Sequence, residues 1–212
     1  KTYLYKSIKR KKNVMEATTK LSCIVILFAT LFSTACKKET AEKPGSKPLE
    51  TFISSNTEFD VYEIDDFPRT MTIIFKTTKA GKITHLGAKL ESGTYNVALI
   101  DSSSQATLRT TTVTVTDSAN FAYTDIDDVD IIADKVYYVS VNNATTSNSQ
   151  NKRYFTYNII DGREFPITDG NFTYLEPIFN SNTTSATDVF EGNIYRQSNS
   201  ITGIPGFIFS EN

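Results

Sequence analysis

His85 is the only histidine among the 212 residues, and the chain has two cysteines and no tryptophan. General-base catalysis needs a hydrogen-bonded partner that orients the base and a nucleophile within reach. His85 precedes Leu86 in a predicted strand, and its sequence neighbours supply neither group. These counts exclude histidine-based metal clusters, cysteine cages and the usual nucleophilic triads. We therefore predict no catalytic residues and a noncatalytic protein.

Carboxylates are concentrated between residues 125 and 134. Calcium binds six to eight oxygen atoms, and loops can supply them. Asp125, Asp127 and Asp130 are therefore candidate calcium ligands. The spacing is not that of an EF-hand, because Asp130 stands at the sixth position, where glycine belongs. The alternative, which we favour, is a charged strand edge that discourages pairing between sheets.

Tyrosine and arginine side chains are the candidate ligand-binding groups. A sugar ring can lie with its apolar C–H side against the negative face of an aromatic ring. The alternative for each tyrosine is packing in the core with its hydroxyl at the rim. The candidates for binding are Tyr138, Tyr154 and Arg153, followed by Tyr157, Tyr174, Tyr195 and Arg163.

An uncharged apolar run over residues 21–35 follows a basic segment and leads into Cys36. A membrane span needs roughly 20 apolar residues, whereas the apolar region of a signal peptide has about 7–15. Ser33-Thr34-Ala35-Cys36 resembles the bacterial lipobox, and the segment is similar to those of Bacteroidetes lipoproteins. The resemblance implies cleavage between Ala35 and Cys36 and acylation of the Cys36 thiol. It also implies a lipid-anchored protein of the bacterial outer membrane, either periplasmic or surface-exposed.

This interpretation divides the chain into three segments. Residues 1–35 are the signal peptide, of which residues 1–14 are an over-extended start or a tail without its own fold. Residues 36–48 combine charge, proline and glycine, which predicts a flexible tether. Residues 49–212 form one domain of typical size. Residues 36–212 hold 15 basic and 23 acidic residues, a formal net charge of −8, which argues against nucleic acid as a partner.

Alternating apolar and polar residues dominate the domain. Met71, Ile73 and Phe75 alternate with polar neighbours, and similar short runs separated by turn residues follow as far as Phe209. No stretch shows a convincing helical stripe with caps. Many short strands between turns predict an all-β fold, a single antiparallel β-sandwich that is jelly-roll-like or immunoglobulin-like.

Two spaced patterns carry a family resemblance. Gly81-x-Ile83-Thr84-x-Leu86 and Gly93-x-Tyr95-x-Val97-x-Leu99-x-Asp101 resemble secreted bacterial β-sandwich domains of unknown function that occur in surface lipoproteins. The resemblance covers roughly residues 70–142. It implies a jelly-roll-like sandwich and export, and it brings no catalytic residues.

Asp117-Ser118-Ala119 is similar to the short O-glycosylation acceptor pattern of exported Bacteroidetes proteins. Ser118 is therefore a candidate glycosylation site. A turn between Val115 and Phe121 is compatible with glycosylation and equally explains these residues without it.

These observations favour a noncatalytic binding or adhesion module of the cell envelope, with a glycan as the candidate ligand. One alternative is a structural subunit of a surface assembly that pairs through its strand edges. A second is a small hydrolase with paired carboxylates. We expect as partners the membrane, through the lipid, and a glycan or an envelope protein. Calcium is the only cofactor for which the sequence supplies candidate ligands.

Substitution of Cys36 tests the lipoprotein interpretation. Cys36→Ala removes the acyl acceptor, so we expect an unprocessed precursor that incorporates no labelled palmitate in the expressing bacterium. Cys23→Ala is the matched control, because Cys23 leaves with the signal peptide and labelling should persist. Continued labelling of the Cys36→Ala protein would contradict the assignment.

Overall fold

The computed structural model describes residues 45–65, 67–144 and 152–212, which are mostly β-strand with one α-helix. The bounds of the elements are α1 Pro48–Asn56, β1 Thr57–Asp65, β2 Arg69–Thr77, β3 Gly81–Lys89, β4 Gly93–Asp101, β5 Thr107–Val115, β6 Ala122–Ile131, β7 Tyr137–Asn142, β8 Lys152–Ile159, a 3₁₀ turn Ile160–Gly162, β9 Ile167–Asp169, β10 Phe172–Ser181, β11 Asn193–Arg196, β12 Ser200–Thr202 and β13 Ile204–Glu211.

The strands form three antiparallel sheets. The largest has the order β11-β10-β2-β7-β4-β5, with β9 also paired to β10. A second sheet has the order β13-β3-β6, and a third the order β1-β8-β12. The predicted all-β class, with antiparallel sheets packed together as in a sandwich, is confirmed.

The core lies between the largest sheet and the β13-β3-β6 sheet. Met71, Ile73 and Phe75 of β2 are buried at two-residue spacing, as the alternation predicts. The Phe75 ring stacks on Phe207 of β13, with the ring centroids 4.6 Å apart. Phe172 of β10 lies 5.7 Å from the same Phe207 ring. Aromatic packing therefore joins the two sheets at the centre of the fold.

The loop between β10 and β11, residues 182–192, covers part of the other face of the largest sheet. Ala186 and Val189 of this covering loop are buried against Ala98 and Ile100 of β4. The Asn142 side chain of β7 donates a hydrogen bond of 3.1 Å to the Thr183 carbonyl. The largest sheet is thus packed on both faces, and the covering loop is part of the fold.

Helix α1 was not predicted from the sequence. Pro48 occupies a first-turn position, where its missing N–H costs nothing. Leu49, Phe52 and Ile53 are buried on one face, at the spacing of an amphipathic helix. Since the apolar stripe spans only these few residues next to the tether, its signal was too short to stand out from the sequence around it.

Residues 45–47, which the sequence analysis assigned to the tether, already belong to the packed unit. The Ser46 N–H donates to the Phe209 carbonyl at 2.7 Å, and the Phe209 N–H donates back at 2.8 Å. A Cβ atom on Gly45 would lie 2.4 Å from the Ile208 side chain, so this close approach to β13 requires glycine. Packing against β13 therefore includes residues that the sequence assigned to the tether.

Truncation of Phe207 tests the role of the aromatic core. Phe207 is fully buried, so Phe207→Ala should cost about 3–5 kcal/mol of unfolding free energy in a urea titration. Ile132→Ala is the control, because this side chain is 59% exposed and its loss should change stability by less than about 0.5 kcal/mol. Equal effects of the two substitutions would show that Phe207 does not join the sheets.

Candidate functional site

Two cavities open on the described surface at places where a ligand could contact several elements. The first, with a volume of about 340 Å³, lies between the covering loop and strands β4 and β5. Its walls include Asn96, Ser185 and the hydroxyl-bearing residues 110–112. Neither an aromatic ring nor a charged side chain occurs among its described lining residues, so it offers hydrogen bonds and small aliphatic contacts but no ring or ion-pair contact.

The second cavity, here called the α1 pocket, has a volume of about 260 Å³. It lies between α1, the turn before β6, the end of β3 and strand β8. The residues that can contact a ligand through rings, charges or polar groups are Glu50, Ser54, Lys89, Asn120, Phe121 and Tyr157. Ligand pockets usually combine apolar surface with a few polar groups. Both cavities have this composition, but of the two only the α1 pocket has aromatic rings and charged groups among its described lining residues.

Glycines on two neighbouring strands allow the rings beside this pocket to lie flat against the sheet. Gly206 of β13, Gly87 of β3 and Tyr123 of β6 lie side by side in the strand register. A Cβ atom on Gly87 would lie 2.4 Å from the Tyr123 ring, and one on Gly206 would lie 3.0 Å from Phe121. Phe121 stacks on Tyr123 with 5.9 Å between centroids. The glycines therefore make room for a two-ring shelf whose Phe121 end lines the pocket.

A cluster of polar contacts fixes α1 to this shelf. The Tyr123 hydroxyl donates to the Glu50 carboxylate at 2.9 Å, and the Lys47 ammonium lies 3.3 Å from the same carboxylate oxygen. Lys47 also sits over the Tyr123 ring, 4.8 Å from its centroid. Burial, reinforced by Glu50, raises the pKa of Tyr123 well above its ordinary value, so its hydroxyl stays a donor.

Lys89 and Tyr157 form the opposite wall. The Lys89 ammonium lies 5.5 Å from the centroid of the Tyr157 ring. The Tyr157 ring also contacts Phe59, with 5.7 Å between ring centroids. The Phe59 ring in turn lies 6.2 Å from that of Phe155. Phe59 is 55% exposed, so aromatic surface continues from the pocket onto the outside of the protein.

The turn that carries Asn120 is held by Asp117. One Asp117 oxygen accepts the Ala119 N–H at 2.9 Å, and the other accepts the Asn120 amide at 2.7 Å. These hydrogen bonds, chiefly the one from Ala119, lower the pKa of Asp117. Ser118, the candidate glycosylation site, is half-buried within this turn beside the pocket. Its glycosylation stays a prediction.

The tyrosines proposed as a binding set do not come together. Tyr138 lies under the covering loop, with Phe190 against its ring at 5.3 Å. Tyr154 is buried in the core, 3% exposed, beneath the guanidinium of Arg69. Arg153 lies on β8 opposite Ile64, and its side chain is outside the described part of the structure. The core alternative therefore fits Tyr138 and Tyr154 better than the binding role.

The further candidates are also dispersed. Tyr174 is buried against Phe52. Tyr195 stacks on Phe179 at the β11 edge of the largest sheet. Arg163 forms an ion pair with its neighbour Asp161. Only Tyr157 lines the α1 pocket. The sequence did not identify Phe121 and Lys89 as candidate site residues. A signal that could have located this surface was the placement of Gly87 and Gly206 within otherwise regular strands.

The acidic side chains of β6 contact different basic residues. Asp125 lies 3.8 Å from His85, and Asp127 lies 3.7 Å from Arg109, while both carboxylates stay largely exposed. Asp127 lies in the irregular stretch of β6 opposite Thr84, between Asp125 and Asp130. Asp130 is the register partner of Lys82, whose ammonium forms its ion pair with Asp128 at 3.1 Å. In the part of the chain that the structure describes, no three His, Cys, Asp or Glu residues are placed to hold a metal ion. The candidate calcium ligands Asp125, Asp127 and Asp130 are thus not gathered into such a group among the described residues.

Residues 1–44, with Ala35 and Cys36, lie outside the described residues, so the lipid-attachment and cleavage sites stay predictions. Within the described ranges, no helix combines the length and the apolar character needed to cross a membrane.

No protein-family model matches the chain, and no curated protein sequence is significantly similar to it.

The ion pair between Asp101 and Lys135 is a second place where pKa values are shifted. Their side chains meet at 2.6 Å, and the Ser103 N–H and hydroxyl both donate to the other Asp101 oxygen. The Lys135 ammonium, aided by Ser103, holds the pKa of Asp101 well below its usual range, and Asp101 raises that of Lys135. Perturbed groups often mark functional sites. Because neither residue lines a described cavity, we assign this pair to the stability of the β4–β5 turn.

The pH dependence of stability tests this assignment. Asp101→Asn should lower the melting temperature at pH 7, because the native state holds the ionised carboxylate. The difference from the unmodified protein should stay constant from about pH 5 to 9 and shrink as the pH falls below about 4, the unfolded-state pKa of aspartate. Asp127→Asn, whose carboxylate is 92% exposed, is the control and should leave the melting curve nearly unchanged. A difference that persists undiminished at pH 2 would contradict the electrostatic explanation.

Proposed function

We propose that this protein is a cell-envelope lipoprotein, acylated at Cys36, whose β-sandwich binds a saccharide in the α1 pocket without acting on it chemically. The observation that carries the proposal is the pocket itself, in which the rings of Phe121 and Tyr157 stand among polar side chains. Sugars present apolar C–H faces to aromatic rings and hydroxyls to polar groups. The α1 pocket supplies both kinds of surface.

The size and the surroundings of the pocket suit one unit of a longer saccharide. Its volume, about 260 Å³, lies just below the range of about 300–1,000 Å³ that is typical of pockets for drug-sized ligands. Phe59 extends the aromatic surface beyond Tyr157. A chain with one sugar in the pocket therefore meets a further ring outside it.

The carboxylates of the pocket support a noncatalytic role. Glycoside hydrolysis in most families uses two carboxyl groups on either side of the scissile bond. Glu50 is the one carboxylate among the described residues that line the pocket, and it is already engaged by Tyr123 and Lys47. This arrangement favours binding over hydrolysis.

The position of the pocket is compatible with a ligand near the membrane surface. Nine residues lie between Cys36 and Ser46, where packing against β13 is seen, and these ten steps of chain span at most about 36 Å. Helix α1, which carries Glu50 and Ser54 of the pocket, begins two residues later. A lipid at Cys36 would therefore hold the pocket close to envelope polysaccharide.

The second candidate function is a subunit of a surface assembly. Strand β11 lies at the edge of the largest sheet, and all four of its residues are exposed, with Ile194 at 44% and Tyr195 at 47%. An exposed edge strand can pair with a strand from another chain.

Glycan binding by the full-length protein in mild detergent distinguishes these functions. We expect specific binding on a glycan array, and Tyr157→Ala should weaken it about threefold to tenfold, since one stacking contact is lost. Tyr157→Phe keeps the ring and should bind nearly as well.

Tyr195→Ala is the matched control, because it removes an exposed tyrosine that lies outside the pocket. Unchanged binding by the Tyr157→Ala protein would contradict the proposed site. An array without binding, together with oligomers that the Tyr195→Ala substitution disrupts, would favour the assembly function.

A further inference from the structure

We propose that the α1 pocket selects an acidic saccharide, one whose sugar carries a carboxylate, and that Lys89 is the residue that pairs with this carboxylate. The inference rests on the proposed saccharide-binding function and specifies the class of ligand.

Lys89 is a half-buried cation placed at the pocket by the end of strand β3. It lies opposite Ile204 of β13 in the register, and its ammonium group sits over the Tyr157 ring. A sugar in contact with this aromatic wall has its substituents within reach of the ammonium. The side chain is therefore positioned to pair with a negatively charged group of the ligand.

Among the described residues, Lys89 forms no direct ion pair. Glu50, the carboxylate of the pocket, is held by Tyr123 and Lys47 on the opposite wall. Asp117 is near enough for Lys89 to lower the pKa of its carboxyl, but among the described residues its oxygens contact Ala119 and Asn120 and form no direct ion pair with Lys89. Within the described residues, no carboxylate oxygen lies within 4.0 Å of the Lys89 ammonium. An unpaired cation at a partly dehydrated wall favours an anionic ligand group.

The attraction between Lys89 and an anionic ligand acts only at short range. Residues 36–212 carry a formal net charge of −8, so the protein as a whole repels anions. Screening at physiological salt limits that repulsion to about 8 Å, whereas a direct ion pair forms inside this distance. Selection of an acidic ligand thus depends on Lys89 itself and on the rings that bring the sugar to it.

Matched acidic and neutral oligosaccharides test the inference. The probes are oligogalacturonate, oligomannuronate and hyaluronan fragments, each compared with its carboxyl-reduced form, in calorimetric titrations of the full-length protein in mild detergent. At least one acidic probe should bind about tenfold to a hundredfold more tightly than its reduced form, because a charge-assisted hydrogen bond is lost on reduction.

Substitution of Lys89 assigns the discrimination to one residue. Lys89→Gln should remove the preference for the acidic probe and keep the weaker binding of the reduced form, whereas Lys89→Arg should keep the preference. Lys79→Gln is the control, because Lys79 is exposed beside the other end of strand β3. Melting curves of all variants confirm that each is folded.

Four outcomes would overturn the inference. Equal affinity for the acidic and reduced probes, or a preference that survives Lys89→Gln, would exclude Lys89 as the selecting residue. Binding of neutral glycans on the array with no binding of the acidic probes would exclude the acidic class while leaving saccharide binding intact. Absence of any saccharide binding would overturn the proposed function together with this inference.

Discussion

The packing of helix α1 against the core is the interaction on which the candidate site depends. Phe52 contacts Tyr174 of β10, with ring centroids 4.5 Å apart, and Leu49 and Ile53 are buried beside it. This contact fixes Glu50 and Ser54 as one wall of the pocket. Without it, Phe121 and Tyr157 would lie on an open sheet surface, because the wall between them would be missing.

The fold was largely predictable because the strands obey a local rule. Strands such as β2 and β7 have a face in the core, so their apolar residues recur at every second position. Helix α1 obeys the corresponding helical rule over only three buried residues, Leu49, Phe52 and Ile53. So short a stripe, next to the polar tether, was overlooked, although Pro48 marked its start.

The site was less predictable because it depends on which side chains meet across strands. Asp125 and Asp127 are two residues apart in the sequence, yet a bulge and different basic neighbours give them separate partners. Tyr138 and Tyr154 could be interpreted as exposed, but the covering loop and Arg69 lie over them. Lys89 had no distinguishing neighbour in the sequence, since its significance comes from Tyr157, which is 68 residues away. Register and loop placement, which local pattern does not encode, decide such contacts.

The pair of backbone hydrogen bonds between Ser46 and Phe209 gives the domain a defined mechanical attachment point. If the chain is anchored at Cys36 as proposed, tension that reaches Ser46 would be shared with β13 through these hydrogen bonds. Strand β13 is bonded along its length to β3, and its Phe207 is stacked in the core. A pull on the anchor is therefore distributed into the sheet before it reaches α1, so the walls of the pocket can keep their spacing while the protein is under load.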